Sequence, residues 1–70
     1  MREIAASAIR TARQRAELDQ AGLARRMTNL GWPWHRQTVG AVEAAERKVA
    51  VEELLPLSLA LACSISDLIS

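Results

Sequence analysis

Arg36 and Gln37 are adjacent polar residues in the middle of the chain, and both side chains could contact the edges of DNA bases. A guanidinium binds guanine through two parallel hydrogen bonds, and a carboxamide binds adenine in the same bidentate way. Val39 and Val42 follow at a spacing of three, which is typical of the buried side of a helix. The sequence therefore predicts a short helix over about residues 36–45 whose first turn is polar and exposed.

A second short helix is predicted just upstream, from a cap at Asp19 to about Thr28 or Asn29. The Asp19 carboxylate can accept hydrogen bonds from the free N–H groups of the first turn. Leu23 and Met27 fall one turn apart and form its apolar side. Two short helices in succession, the second polar at its N-terminal end, are the arrangement by which a helix-turn-helix enters the major groove of DNA.

Three further helices are predicted around this pair. An apolar stripe at helical spacing predicts the first over about residues 3–15, and its members are Ile4, Ala8, Ile9 and Ala12. A leucine-rich segment predicts another over about residues 52–62. Pro56 lies near the start of that segment, where its missing N–H removes little hydrogen bonding, so we expect this helix to begin late or to bend without breaking. Ser64 and Asp67 have the spacing of a capping box and predict a short fifth helix.

In their order along the chain, these residues resemble the lambda-repressor-like helix-turn-helix family, which includes phage repressor, Cro-type and xenobiotic-response-element domains. The family pattern has Ser/Asp-Gln-x-x-Leu-Ala in helix 2, Thr-Ile/Val-x-x-Ile/Val-Glu in helix 3 and a leucine-rich helix 4. The matching residues here are Arg13, Asp19, Gln20, Leu23, Ala24, Thr38, Val39, Val42, Glu43, Leu54, Leu55, Leu57, Leu61 and the segment 64–69. The resemblance covers about residues 3–69. It implies an all-α, compact bundle of about five short helices that forms one domain over residues 1–70.

The resemblance also implies roles for individual side chains. Base contacts are expected at the start and along the outer face of helix 3, from Arg36, Gln37 and Ala41. Contacts to the DNA backbone are expected from Gln20, His35, Thr38, Arg47 and Lys48. Phosphate contacts fix register and carry no sequence information, so this second group would position the protein. The ion pair that the family forms between helices 1 and 3 corresponds to Arg13 and Glu43.

Several of these positions also have plainer explanations. His35 stands where the family usually has a Ser or Thr cap, and it could contact phosphate, cap the helix poorly or simply lie on the surface. Thr38 could contact phosphate or support the start of the helix. Gly40 could let the helix backbone approach DNA closely, or it could make room for a neighbouring helix. Ala41 could contact a thymine methyl group.

The sequence departs from the family pattern at two places. The step from Leu23 to Val39 is about five residues longer than in the compact family form, which lengthens the loop between helices 2 and 3. Within this loop, Trp34 is expected in the core, whereas Trp32 could contact the sugar-phosphate backbone or pack on a neighbour. Ala45 stands where the family often has Gly, so we expect helix 3 to continue toward residue 46.

Composition narrows the classes of protein. All nine Lys and Arg lie within residues 1–48 beside five acids, whereas residues 49–70 carry only three acids. This uneven distribution of charge is expected when one face of a protein contacts the phosphates of DNA. No apolar run reaches the roughly 20 residues that span a bilayer, and the single Cys63 suits a reducing cytoplasm. The chain has one His, and it has neither paired carboxylates nor a Gly-rich phosphate loop. We therefore expect that the protein holds no metal ion, needs no cofactor and is not an enzyme.

We therefore expect a sequence-specific, double-stranded DNA-binding regulator of transcription, and most simply a repressor that occupies an operator. The resemblance implies a homodimer on an inverted repeat, with half-sites about one helical turn apart. The apolar tail offers a candidate dimer seam at Ile65 and Ile69, while Leu61 and Leu68 are favoured as core residues. Two alternatives stay open. One is an antitoxin-like or accessory module that holds a protein partner with the same fold, and the other is the N-terminal DNA-binding module of a longer regulator.

Overall fold

The computed structural model describes residues 6–69, which form four α-helices and two short 3-10 turns. The α-helices are α1 (Ala6–Arg15), α2 (Gln20–Asn29), α3 (Arg36–Glu43) and α4 (Leu54–Leu61). The 3-10 turns are Val51–Glu53 and Ile65–Asp67. The all-α prediction is confirmed, but the predicted fifth helix is only a single 3-10 turn. The expected start of the first helix, at Glu3 and Ile4, lies outside the described residues.

Apolar side chains from all four α-helices meet in one core. The largest fully buried side chains are Ile9, Leu23, Met27, Val39, Val42, Leu57 and Leu68. Helix α2 packs against both α3 and α4, whereas α1 packs against α3. Leu61 and Leu68 are buried, as predicted, and so is Trp34. The core therefore holds the inner face of α3 against α2 through Val39 and Val42.

Helix α4 begins late, at Leu54, which fits the position of Pro56. Pro56 is the third residue of α4, within the first turn, where helix N–H groups have no partner inside the helix. A hydrogen bond joins α4 to α2. Arg26, on α2, donates from Nη1 to the carbonyl of Ala60 in the last turn of α4 at 2.9 Å. Beyond α4, the N–H of Ser64 donates to Asp67 Oδ2 at 3.2 Å, and this closes the second 3-10 turn.

Residues with positive φ follow each α-helix, and they are Glu17 (59°), Gly31 (94°), Ala45 (60°) and Ala62 (53°). The prediction that helix 3 continues toward residue 46 is wrong, because Ala45 adopts the left-handed conformation although it carries a Cβ. The N–H of Ala45 donates to the carbonyl of Val42 at 3.1 Å. The N–H of Glu46 donates to the carbonyl of Ala41 at 2.8 Å, so the last carbonyl groups of α3 are satisfied and the helix stops at residue 43.

Candidate nucleic-acid interface

Helix α3 has a polar outer face and a buried inner face. Arg36 and Gln37 are exposed on its first turn, and Ala41 lies half-buried one turn further along the same face. Val39 and Val42 are buried on the opposite face. The three residues expected to contact bases therefore share one side of a helix whose other side is fixed in the core.

The start of α3 is stabilised by Thr38. The Thr38 hydroxyl oxygen accepts a hydrogen bond from the backbone N–H of His35 at 3.2 Å, and the Thr38 N–H donates to the carbonyl of His35 at 3.0 Å. His35 precedes the helix in an extended conformation and is exposed. Thr38 thus supports the helix start, which was one of its two expected roles, and its O–H can still donate to a phosphate.

The carboxylate of Glu43 is buried at the end of α3 and binds side chains of α1 and α2. Arg13 donates to it from Nε at 2.6 Å and from Nη2 at 3.1 Å. Gln20 donates from Nε2 at 3.2 Å, and Arg10 adds a longer contact from Nε at 3.5 Å. Burial raises the pKa of Glu43, but hydrogen bonds from Arg13, Gln20 and Arg10 outweigh burial and hold the pKa below its ordinary value. The structure thus brings together the pair of residues expected to join helices 1 and 3.

Gln20 is the first residue of α2, and its side chain points toward α3. Its amide nitrogen binds Glu43, and its oxygen would lie 3.7 Å from a Cβ added at Gly40. That distance is ordinary van der Waals contact, so α3 has room for an alanine at this position. Room for a neighbouring helix therefore does not explain Gly40.

A second buried carboxylate, Glu53, joins the two segments that flank α3. Trp34 lies two residues before α3 and donates from Nε1 to Glu53 Oε2 at 3.0 Å. Arg47 lies four residues after α3 and donates from Nη2 to Oε2 at 2.9 Å and from Nη1 to Oε1 at 3.2 Å. The Arg47 guanidinium also lies over the Trp34 ring, 5.2 Å from its centroid, which is a cation–π contact.

Burial distinguishes Glu53 from its neighbour, whereas the sequence does not. Glu52 is exposed, but Glu53 is only 3% exposed. Sequence reasoning missed this residue because two adjacent glutamates at a helix start look equivalent. It also expected Arg47 on the DNA backbone, whereas both terminal nitrogens of Arg47 bind Glu53 and its side chain is 38% exposed. The next residue, Lys48, is exposed.

The long loop between α2 and α3 is anchored at both tryptophans. Trp34 is buried, as expected. Trp32 is partly buried against the core, so of the two roles expected for Trp32 the structure shows packing. The Trp32 N–H donates to the carbonyl of Met27 at 2.9 Å. The Thr28 hydroxyl is shared between the carbonyl of Ala24, at 3.0 Å, and the carbonyl of Trp34, at 3.2 Å. The last turn of α2 thus holds the loop at two points before α3 begins.

Apolar side chains are exposed near and on α4. Val51, Leu55 and Leu59 follow one another at a spacing of four, and Leu55 and Leu59 are 59% and 61% exposed. Ile65 is exposed and Ile69 is half-buried. The expected seam residues are therefore accessible, but the larger exposed apolar stripe runs from Val51 in the first 3-10 turn to Leu55 and Leu59 on α4.

Two further classes of site were sought in the described part of the chain. Across residues 6–69, no cluster of His, Cys, Asp and Glu side chains is arranged to hold a metal ion. No helix in the same range is long and apolar enough to cross a membrane.

The fold and the exposed polar start of α3 define a helix-turn-helix protein. The chain is similar in structure to the restriction-modification controller protein C.AhdI from Aeromonas hydrophila, with a TM-score of 0.76 and 30% sequence identity. The match covers 90% of this chain and 84% of that one. Neither the protein-family models nor the curated proteins give a match. The chain belongs to the family of helix-turn-helix, DNA-binding transcription regulators that includes this controller protein.

Proposed function

We propose that this protein binds operator DNA sequence-specifically, as a repressor of transcription, with α3 in the major groove. The observation that carries the proposal is the arrangement of α3. Arg36 and Gln37 are exposed side by side on its first turn, while the opposite face of the same helix is buried. A helix held in this way can enter the groove without rearrangement of the fold.

Base contacts are assigned to the outer face of α3. Arg36 suits a guanine and Gln37 an adenine, and the Ala41 methyl group suits the methyl group of a thymine. Gly40 lies beside Ala41, and its missing side chain lets the α3 backbone approach the bases. A face with so few side chains contacts few base pairs directly, so DNA shape and deformability supply the rest of the sequence preference.

Contacts to phosphates are assigned to residues around the two ends of α3 and the start of α2. Lys48 and His35 are exposed and have the principal role. Gln20, Thr38 and Arg47 have a supporting role, because each already makes a contact within the protein. Each retains at least one polar hydrogen for a phosphate. Gln20 keeps its second amide N–H, Thr38 keeps its hydroxyl hydrogen, and Arg47 keeps Nε–H and one hydrogen on Nη2.

The protein is proposed to act as a homodimer on an inverted repeat. Ile65 and Ile69 form the candidate seam, and the exposed stripe of Val51, Leu55 and Leu59 is a second apolar surface available to another copy. Two copies related by a two-fold axis would place their α3 helices in successive major grooves, about one helical turn apart. Occupancy of such an operator in the bacterial cytoplasm would exclude polymerase, and this requires neither a cofactor nor a catalytic step.

The first test is selection of bound duplexes from a random pool of double-stranded DNA. The wild-type protein is expected to enrich one motif arranged as an inverted repeat. The double variant Arg36→Ala/Gln37→Ala should lose this enrichment, since each good bidentate base contact contributes about 1–3 kcal/mol of discrimination. A wild-type protein that enriches no motif and binds only at low salt would overturn the proposal in favour of a protein partner.

A third protein in the same selection, Gly40→Ala, tests the close approach of α3. Its fold should be unharmed, because the added Cβ meets only Gln20 Oε1 at 3.7 Å. Alanine favours the helix by up to about 1 kcal/mol over glycine, so a thermal melt should show equal or higher stability. Weaker operator binding by this equally stable variant supports close approach, whereas unchanged binding removes Gly40 from the interface.

A further inference from the structure

We propose that Glu53 is a positioning residue that determines base specificity, because its carboxylate holds the segments before and after α3 in one place. The inference rests on the proposed function, since it concerns the helix that would contact bases. Trp34 and Arg47 lie on opposite sides of α3 in the sequence, and both donate to Glu53. No atom of Glu53 needs to touch DNA for this role.

The hydrogen bonding of Glu53 is complete. Oε2 accepts from Trp34 Nε1 at 3.0 Å and from Arg47 Nη2 at 2.9 Å. Oε1 accepts from Arg47 Nη1 at 3.2 Å and from the backbone N–H of Ala50 at 2.9 Å. A buried carboxylate with four donors is rigid, because any movement leaves a buried polar group without a partner.

The long loop explains why α3 needs a second anchor. The Glu43 contacts hold the last residue of α3 against α1 and α2, but they do not reach its first turn. The first turn carries Arg36 and Gln37. It follows a loop that is about five residues longer than the corresponding loop in the compact form of the helix-turn-helix family. The indole of Trp34 ties the end of this loop to Glu53, in addition to the contacts that the last turn of α2 makes with the loop. Glu53 is therefore one of the groups that position the first turn of α3.

Base contacts and phosphate contacts should respond differently when this anchor is loosened. Bidentate contacts from Arg36 and Gln37 require a fixed geometry, since two hydrogen bonds must align at once. Phosphate contacts depend mainly on charge and tolerate small displacements. A shifted α3 would therefore lose affinity for the operator while affinity for unrelated DNA persists. A loss of stability alone lowers the fraction of folded protein equally in both measurements. The ratio of the affinities for the two duplexes then stays unchanged.

The test compares Glu53→Gln with Glu52→Gln. Both substitutions remove one negative charge, but Glu53 is buried in the anchor and Glu52 is exposed beside it. Dissociation constants are measured at one salt concentration for the selected operator and for a scrambled duplex of equal length. We expect Glu53→Gln to lower the ratio of specific to non-specific affinity about tenfold, the size of effect that one lost bidentate contact produces. Glu52→Gln should leave that ratio within about twofold of the wild type.

Trp34→Phe is the second variant, because Glu53→Gln could fail to fold. It keeps an apolar ring in the core but removes the N–H that binds Glu53. Its folded fraction is checked by circular dichroism, and the specificity ratio is expected to fall in the same direction by a smaller factor.

The outcomes separate the two proposals. If the wild type discriminates between the duplexes and the folded Glu53→Gln or Trp34→Phe protein discriminates equally well, Glu53 has no positioning role and the DNA-binding proposal stands. If the wild type itself does not discriminate, the proposed function fails, and this inference fails with it.

Discussion

Two buried glutamates hold α3, and they do so in different ways. Glu43 belongs to α3 itself and binds Arg13 and Gln20, which are residues of two other helices. Glu53 lies outside α3 and binds Trp34 and Arg47 in the connections on either side of it. The first anchor joins regular elements, whereas the second joins irregular ones.

This difference separates the stability of the fold from the placement of its recognition surface. The Glu43 contacts are part of how α1, α2 and α3 pack, so their loss should affect every property that depends on folding. The Glu53 contacts fix a long loop and the turn after α3, which are segments that the rest of the fold constrains less. We therefore expect Glu43 variants to lose stability first and Glu53 variants to lose base discrimination first.

The largest expected effect comes from Glu43→Ala. Removing one partner of a buried ion pair leaves Arg13 without its counter-charge, and such changes typically cost about 3–5 kcal/mol. Arg13 keeps some contact with solvent, with 13% of its side chain exposed, so we expect the lower end, about 3 kcal/mol. Thermal unfolding should show a Tm lower by roughly 15 °C. DNA binding should weaken for all sequences together.

Glu46→Ala is the matched control, because Glu46 is an exposed acid just beyond α3. It removes the same charge and should leave the Tm nearly unchanged. A Glu43→Ala protein as stable as this control would show that the ion pair contributes nothing to stability. The proposed difference between Glu43, which stabilises the fold, and Glu53, which positions α3, would then be wrong.

A smaller loss of stability is expected when the protein is acidified. Burial raises the pKa of Glu43 and Glu53, but hydrogen bonds from Arg13 and Arg47 and their neighbours hold each pKa below its ordinary value. The unfolded chain has ordinary glutamates with a pKa of about 4.3. Because the folded pKa values are the lower ones, the stabilisation is fully present above about pH 4.3 and is lost as pH falls through the folded pKa values.

Urea unfolding between pH 7 and pH 3 measures this loss. The wild type should keep a nearly constant unfolding free energy down to about pH 5 and then lose stability in acid. Glu43→Gln and Glu53→Gln should each show a flatter profile, since each lacks one of the two titrating carboxylates. A profile that stays as steep in both variants would assign the acid sensitivity to other groups and remove the two anchors as its cause.

The same contrast explains what the sequence could predict. Helical spacing and the family resemblance predict α2 and α3, the Arg13–Glu43 contact and the burial of Leu61, because these follow from regular elements. The burial of Leu68 is predicted too, although the segment before it forms a 3-10 turn and not the expected helix. They do not predict that Glu53 is buried and Glu52 exposed, since the loop that brings Trp34 to Glu53 follows no regular spacing. They also fail at Ala45, because nothing local requires an alanine to adopt a left-handed conformation.

Ala45 offers the smallest and most discriminating test, because it lies in the turn between the Glu43 anchor and Arg47. Its φ of 60° costs an L-residue about 1–2 kcal/mol, and glycine adopts this conformation without that cost. Ala45→Gly should therefore raise the unfolding free energy by up to about 1 kcal/mol. Gly31→Ala, at a φ of 94°, is the reverse control and should lower stability.

The specificity ratio of Ala45→Gly then decides between two causes of helix placement. If core packing and the contacts of Glu43 and Glu53 position α3, relief of strain in the turn raises stability and leaves the ratio of operator to scrambled-duplex affinity unchanged. If that ratio falls in a protein that is more stable than the wild type, the strained turn itself sets the position of α3. Glu53 would then share the positioning role with the backbone of Ala45, and loosening either one would cost discrimination without any loss of folding.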